Sequence, residues 1–519
     1  FRPGLKRYLF DVPIMVVKFK RVEINKENTM ITRVFFAIPT LLITFLLYAG
    51  EPTALFSPQD GPKAFAQVFS MIRNAKEYVH LVVYSWRGTD LAKALEDAAK
   101  SPSKPKIRLV LHDSVAKNSK NQKKFKELQA LGVEFKRAKM NMHEKFVLVD
   151  GRFLVNPSAN MTDSAANDYS EAFTFFTDDP EAQGNPQRQL INDFRQEFTV
   201  LWNSGSYLWD EDERFQPLTD YTKVKESKVI NLPRQADLTL YSSSMNWEVK
   251  PNTPDEADYA KGKFIELIRK NGEANQPWLV RDKMIELIDN AQETIVMAIN
   301  HFNIKDVADA LLRAAAPPRN IKIRLSVDNQ EFKKYSRPGD IEMTPYFVAE
   351  WKKRFPDRPV PVRVKYYSHC PDPATWQLNH HKFMLVDNNK LFSGSFNLSH
   401  QAEHEQFDNL VLFNGAAYQH LYQQYNQEFE HLWTWSREGK EPKKEVRDLF
   451  FQVKEGGYPL HINDSMALDW NEAIALQDDV EKMAPGLFAK LNKGMCKYTH
   501  YVPDPTGGKN GKFIFAKNE

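Results

Sequence analysis

The stretch MHEKFVLVDGRFLVNPSAN, Met142 to Asn160, sets a histidine, a lysine and an aspartate around a four-residue apolar run and then turns on small residues. FVLV has the length and composition of a buried strand. Residues two apart on an extended chain share a face, so His143 and Lys145 stand side by side while Glu144 points away. Asp150 ends the strand, where it braces the turn. The turn brings Ser158 and Asn160 back towards His143. A second stretch, HHKFMLVD from His380 followed by LFSGSFN, repeats the pattern with Lys382, Asp387, Ser395 and Asn397. Counted from each histidine, these residues fall at offsets 0, 2, 7, 15 and 17, and a further acid, Glu171 or Asp408, falls at 28 in both copies. Duplication alone would keep the apolar strand positions. Keeping every polar one as well points to a shared chemical task.

The repeat extends outward from these motifs. AKEYVHLVVYSWRGTDLAKALEDAA (75–99) aligns with AQETIVMAINHFNIKDVADALLRAA (291–315) at an offset of 216, and KIRLVLHD (106–113) with KIRLSVDN (322–329). By the motifs the offset has grown to 237, because the second copy carries extra residues between about 330 and 366. Helical periods alternating with short β-branched runs predict an α/β fold with a parallel or mixed sheet. Each copy closes on a helix, FRQEFTVLW (194–202) or YNQEFEHLW (425–433), whose aromatics Phe194, Phe198 and Trp202 have the spacing of core residues. The expected organisation is an N-terminal extension (1–29), a signal peptide or membrane anchor (30–50), a first half (51–216), a charged, proline-containing connector (217–278), a second half (279–440) and a C-terminal extension (441–519).

Bulk properties narrow the function. The 519 residues are too many for one compact core. With 70 Lys plus Arg against 67 Asp plus Glu, there is no global electrostatic case for a nucleic-acid binder. Two cysteines, Cys370 and Cys496, exclude a disulfide-dense scaffold or a Cys-rich zinc site. From Met30, one arginine followed by the apolar run Val34–Ala49 reads as an export signal, with an uncleaved anchor as the alternative. Lys18, Lys20, Arg21, Lys26 and Arg33 would keep the preceding side cytoplasmic and leave the rest of the chain secreted or periplasmic. His400 and His404 have a zinc-like spacing but no third ligand, so they read as a solvated helix face, as does the lysine-rich run 117–127.

Two histidines, two lysines and two asparagines suit a phosphodiester. Lysine and asparagine neutralise and orient non-bridging oxygens. One histidine attacks phosphorus, and the other protonates the leaving oxygen and then activates water or an alcohol. A carboxylate behind each imidazole fixes its tautomer, and Glu171 and Asp408 are the matched acids for that task. Ser158 and Ser395 are expected on the phosphate with Asn160 and Asn397. Neither a metal ion nor a cofactor is required.

H-x-K-x4-D followed by G-S-x-N, twice in one chain, resembles the phospholipase D superfamily over about residues 60–440. The resemblance implies two similar α/β halves, each a mixed β-sheet flanked by helices, packed about a pseudo-twofold axis with one site at their interface. It further implies a metal-independent phosphohistidine intermediate, with His143 as nucleophile, His380 as acid, and each carboxylate supporting the histidine of the opposite half. One departure is Pro157, where the family has glycine; proline cannot adopt a glycine-only conformation or donate there. The expected activity is hydrolysis or transfer of phospholipid headgroups at a membrane surface by a monomer, since both motifs lie in one chain. The alternatives are an exported endonuclease acting on nucleic acid, a cardiolipin-synthase-like phosphatidyltransferase, and an inactive binding module.

Overall fold

The computed structural model describes residues 51–517 except 89, 139–140, 180–184, 209–232, 235, 252–264, 270–276, 332–342, 367–376, 436–465, 476–495 and 503–511. The expected signal or anchor and the Cys370–Cys496 question lie outside the described residues.

In the first half the strands are β1 (Thr53–Ser57), β2 (Tyr78–Val83), β3 (Lys106–Leu111), β4 (Glu134–Arg137), β5 (Asn141–Met142), β6 (Phe146–Val149), β7 (Phe153–Pro157), β8 (Glu171–Thr177) and β9 (Ser206–Tyr207). All except β5 form one eight-stranded sheet in the order β1-β8-β7-β6-β2-β3-β4-β9. The pairs β2–β3 and β3–β4 are parallel and the others antiparallel. The following strands are β10 (Leu238–Ser242), β11 (Trp247–Pro251), β12 (Ile265–Arg269), β13 (Thr294–Ile299), β14 (Lys322–Asp328), β15 (Val362–Tyr366), β16 (Lys382–Val386), β17 (Lys390–Gly394), β18 (Gln406–Phe407), β19 (Asn409–Asn414) and β20 (Met466–Asp469). The second sheet, β10-β19-β17-β16-β13-β14-β15-β20, repeats the first strand for strand, with parallel pairing again confined to its β13–β14–β15 core.

The chain therefore folds into two similar mixed α/β halves. Their limits differ from the expected ones. The second sheet begins with β10, inside the stretch read as connector, and ends with β20, inside the stretch read as a C-terminal extension. LTLYS is buried at every position, so it lacks the alternation that marks a half-exposed strand, and charged sequence surrounds it.

Apart from Lys382 at the start of β16, both motif strands are apolar because both faces are covered. Phe146 and Leu148 pack with Phe194 and Phe198 of helix Pro186–Ser204 and with Tyr425 and Phe429 of helix Gln419–Thr434. Val296, Phe383 and Leu385 of the second sheet enter the same cluster, so the two closing helices share one core with both sheets. Val147 and Val149 face the opposite side, against helices Gly61–Arg73 and Asp90–Lys100. Met384 and Val386 do the same against helices Leu279–Asp289 and Lys305–Ala315.

The acids that close the motif strands hold neighbouring segments. Asp150 has φ 54° and its carboxylate accepts from the backbone N–H groups of Lys76 (2.8 Å), Glu77 (2.8 Å) and Tyr78 (2.9 Å). Asp387, at φ 52°, does the same for Gln292 (2.8 Å), Glu293 (2.8 Å) and Thr294 (2.9 Å). Each acid thus pins the entry to the strand beside it, β2 or β13. Asp150→Ala and Asp387→Ala should each cost about 1–3 kcal/mol of stability, because three N–H groups lose their acceptor. Urea unfolding checks this, and turnover per folded molecule should stay near that of the wild type. A large fall in turnover with unchanged stability would make these acids part of the chemistry instead.

Candidate active site

The two motifs meet through backbone hydrogen bonds placed right beside the histidines. β5 pairs in parallel with β18, Met142 opposite Phe407, and the backbone N–H groups of His143 (2.9 Å) and Glu144 (2.8 Å) both donate to the Phe407 carbonyl. The reciprocal seam bridges Ser170 and Asn379: His380 N–H donates to the Ser170 carbonyl (3.0 Å) and Ser170 N–H to that of Leu378 (2.8 Å). These contacts exchange positions 237 apart, as a twofold axis between the halves requires.

Across this seam the side chains cross over. His143 Nδ1 lies 3.0 and 3.1 Å from the two carboxylate oxygens of Asp408, and His380 Nδ1 lies 2.7 Å from Glu171 Oε1. Each imidazole is therefore held by an acid of the other half. Nδ1 carries the proton towards the acid, which leaves Nε2 as the free ring nitrogen. The histidines keep 6% and 7% of their surface exposed, while Glu171 and Asp408 are fully buried.

Ser158 and Ser395 do not stand as the sequence suggested. Ser158 Oγ donates to Glu171 Oε2 (2.6 Å) and accepts from Ala172 N–H (3.0 Å). Ser395 Oγ donates to Asp408 Oδ1 (2.6 Å) and accepts from Asn409 N–H (3.2 Å). Their hydroxyls are committed to the carboxylates rather than directed at a phosphate. β7 and β17 end one residue earlier, and the turn that follows aims each hydroxyl at the acid of its own half. Asn160 and Asn397 each keep a buried carboxamide oxygen that has no hydrogen-bond partner among the described residues. Thr162 and Ser399, two residues on, cap the short helices Asp163–Asn167 and His400–His404 and so set where the asparagines stand.

Lys145 and Lys382 are nearly sealed, and each ammonium donates to the carbonyl of its own histidine. Burial lowers them to about 7 and about 8 respectively, opposed by the charges of Asp408 and Glu171. Burial first, then the lysine charges, holds the His143 imidazole well below its ordinary value, and burial lowers His380 too, with Glu171 working against the shift. Asp408 is pushed up to about 7 by burial, against Lys145 and its bonds from Ser395 and Gln406. The site sets two buried lysines and two neutral imidazoles over two buried acids, and a phosphodiester anion beside the lysines would favour their charged forms.

Several contributors escaped the sequence reading. Ser57 Oγ donates to the Tyr169 carbonyl (2.7 Å) and Ser243 Oγ to the Gln406 carbonyl (2.7 Å), each two residues before the catalytic-site acid. The matched LFS and LYSS stretches held that signal, but the expected domain limits separated them. Tyr84 packs edge-on against His143 at 4.7 Å, with Lys145 4.9 Å from its ring centre. The residues between His and Lys turn inward, as expected: His381 Nε2 lies 2.9 Å from Glu428, and Ser242 Oγ donates to Glu144 (3.2 Å). His404 is no solvated residue; it is buried, with its ring centre 4.3 Å from that of Trp278.

Pro157 also proves harmless to the geometry. Ser158 N–H donates to Ala172 O at 2.9 Å, as Ser395 N–H does to Asn409 O at 2.9 Å. A Cβ at Gly394 would come within 2.5 Å of Asn409 O and 2.9 Å of Asn409 Oδ1, whereas the first half has Ala172 in place of Asn409. Gly394→Ala should therefore destabilise by about 1–3 kcal/mol through overpacking, while Pro157→Gly should cost less; equal losses in a denaturant series would contradict this.

The sign of a pH effect follows from Asp408. Its folded value of about 7 exceeds its unfolded value of about 4, so the fold takes up a proton between them and gains stability as pH falls through that window. Asp408→Asn lacks this gain. Its Tm relative to the wild type should fall on acidification from pH 8 to pH 5, and parallel Tm–pH profiles would refute the assignment.

A family model described as cardiolipin synthase, PLD-like domain, matches residues 68–202 and 284–433, once in each half. The chain is 30% identical over 105 residues to the major cardiolipin synthase ClsA of Bacillus subtilis, covering 18% of this chain and 22% of that one. Cardiolipin synthase 1 of Staphylococcus epidermidis is 23% identical over 239 residues, 43% of this chain and 45% of that one. The mitochondrial cardiolipin hydrolase of Danio rerio is 24% identical over 176 residues, 33% of this chain and 72% of that one. The matches thus span less than half the length of either synthase.

Proposed function

The chain belongs to the phospholipase D superfamily, and from that premise we propose that it is a phosphatidyltransferase, moving a phosphatidyl group between alcohols through a phosphohistidine. The crossed pairs His143–Asp408 and His380–Glu171 carry this reading, because each provides a base with a fixed tautomer. Headgroup hydrolysis was the first expectation. Similarity to two cardiolipin synthases favours an alcohol over water as acceptor, and favours lipid over nucleic acid.

In this proposal, Nε2 of His143 bonds to phosphorus as the ester bond to the leaving alcohol breaks. His380 Nε2–H protonates the departing oxygen. The incoming alcohol then gives its proton to His380, and its oxygen displaces His143 from phosphorus. Asp408 and Glu171 hold the Nδ1–H bonds throughout. Lys145, Lys382, Asn160 and Asn397 surround the non-bridging oxygens. The lowered His143 value keeps the nucleophile neutral. The anionic substrate offsets the lysine charges acting on His380 and helps it hold the proton it must give. One chain supplies the whole site. The apolar run Val34–Ala49 would keep it at the membrane that supplies its lipid.

Full-length protein offered phosphatidylglycerol vesicles should release glycerol and form diphosphatidylglycerol, with phosphatidate as a minor product. His143→Ala and His380→Ala should each lower this by at least about 10³-fold. Either variant retaining near-wild-type turnover would sink the two-histidine mechanism. Phosphatidate as the main product would restore hydrolysis, and cleavage of single-stranded DNA with inert vesicles would move the chain to the nucleases.

A further inference from the structure

The two halves match closely around the site, yet a phosphodiester between two different alcohols is not symmetric. A residue that tells its two ester arms apart should therefore break the match. His301 does.

The loop after β13 places it. Asn300 Nδ2 donates to the carbonyl of Asn379, next to His380 (3.3 Å). Phe302 forms a β-bridge with Leu398, next to Asn397, and Asn303 N–H donates to the Leu398 carbonyl (2.6 Å). His301 thus stands between the arms that carry His380 and Asn397. The first half has the same backbone path: Trp86 bridges Met161, and Arg87 N–H donates to the Met161 carbonyl (3.0 Å). There the matching residue is Ser85, so the fold does not need a histidine at this place.

The side chain of His301 is 34% exposed and, among the described residues, makes no hydrogen bond. It lies within electrostatic reach of His143, His380 and Lys382. Glu331, fully buried, sits 3.8 Å from its Nδ1, too far for a hydrogen bond but close enough to favour the proton on that nitrogen. The acid itself is fixed, accepting from Phe302 N–H (3.2 Å) and Thr344 Oγ1 (2.6 Å). Its counterpart in the first half, 216 positions earlier, is Val115, so the His301–Glu331 pair is an addition to one side only. With the proton favoured on Nδ1, Nε2 carries the lone pair, on a ring that lies beside Lys382 and His380. Its natural partner is a hydroxyl proton.

We propose that His301, oriented by Glu331, binds a hydroxyl of the alcohol that is exchanged and so sets the enzyme's preference for a polyol over a simple alcohol. The inference rests on the transferase reading above. It differs from the catalytic role of His380 because the hydroxyl bound is a spectator, not the one that attacks phosphorus.

The test offers glycerol and ethanol in turn as acceptors to the full-length protein on phosphatidylcholine vesicles, following phosphatidylglycerol and phosphatidylethanol. In His301→Ala the preference for glycerol, as a ratio of kcat/KM values, should fall about tenfold, mainly through a higher KM for glycerol. His301→Gln, which keeps an acceptor oxygen, should recover part of it. Glu331→Gln should lower it in the same direction. Structural damage would depress both acceptors alike, and an unchanged ratio in a folded His301→Ala protein would overturn the inference. A wild type that makes neither product, and forms no diphosphatidylglycerol from phosphatidylglycerol vesicles, overturns the transferase reading and this inference with it.

Discussion

Everything at the centre of this molecule depends on one crossed arrangement, in which each histidine is held by a carboxylate belonging to the opposite half. A buried acid without a partner would be costly, and a lone imidazole would be free to rotate. The bonds from Ser158 to Glu171 and from Ser395 to Asp408 hold each acid still, so the acid in turn can hold a ring. The backbone pairs Met142–Phe407 and Ser170–Asn379 bring acid and ring together. Removing any layer of this arrangement would loosen the next.

The same arrangement explains the electrostatics. Two lysines buried side by side would repel one another, and the two acids beneath them supply the opposing charge. The resulting shifts, with Lys145 down to about 7 and Asp408 up to about 7, are set first by burial, which disfavours the charged form of either sign, and the opposite charges beside each group work against them. An anion brought against the two lysines would favour their charged forms, and electrostatic stabilisation of phosphoryl transfer needs such cations fixed in place before the reaction.

Much of this was legible in the sequence because the duplication acted as an internal control. The offsets located His143, His380, both lysines, both asparagines and both acids without any other chain for comparison. The exchange of acids between halves was not legible from spacing; it came with the family resemblance. The serines were misplaced because the turn was read as returning both Ser and Asn to the histidine, whereas it delivers each hydroxyl to the acid of its own half. β10 was missed because its partner β19 lies far along the chain and its five residues are buried on both faces. His301 went unremarked for the opposite reason: a search for matched polar pairs passes over a residue that has no twin.

The central core shared by the two sheets has a consequence for access. Helices Pro186–Ser204 and Gln419–Thr434 lie in one continuous cluster with strands of both halves, and Phe176 stacks on Phe413 across them at 5.8 Å. Halves joined in this way cannot swing apart as jaws without exposing that cluster to water. Access to the two histidines must therefore come without the halves parting.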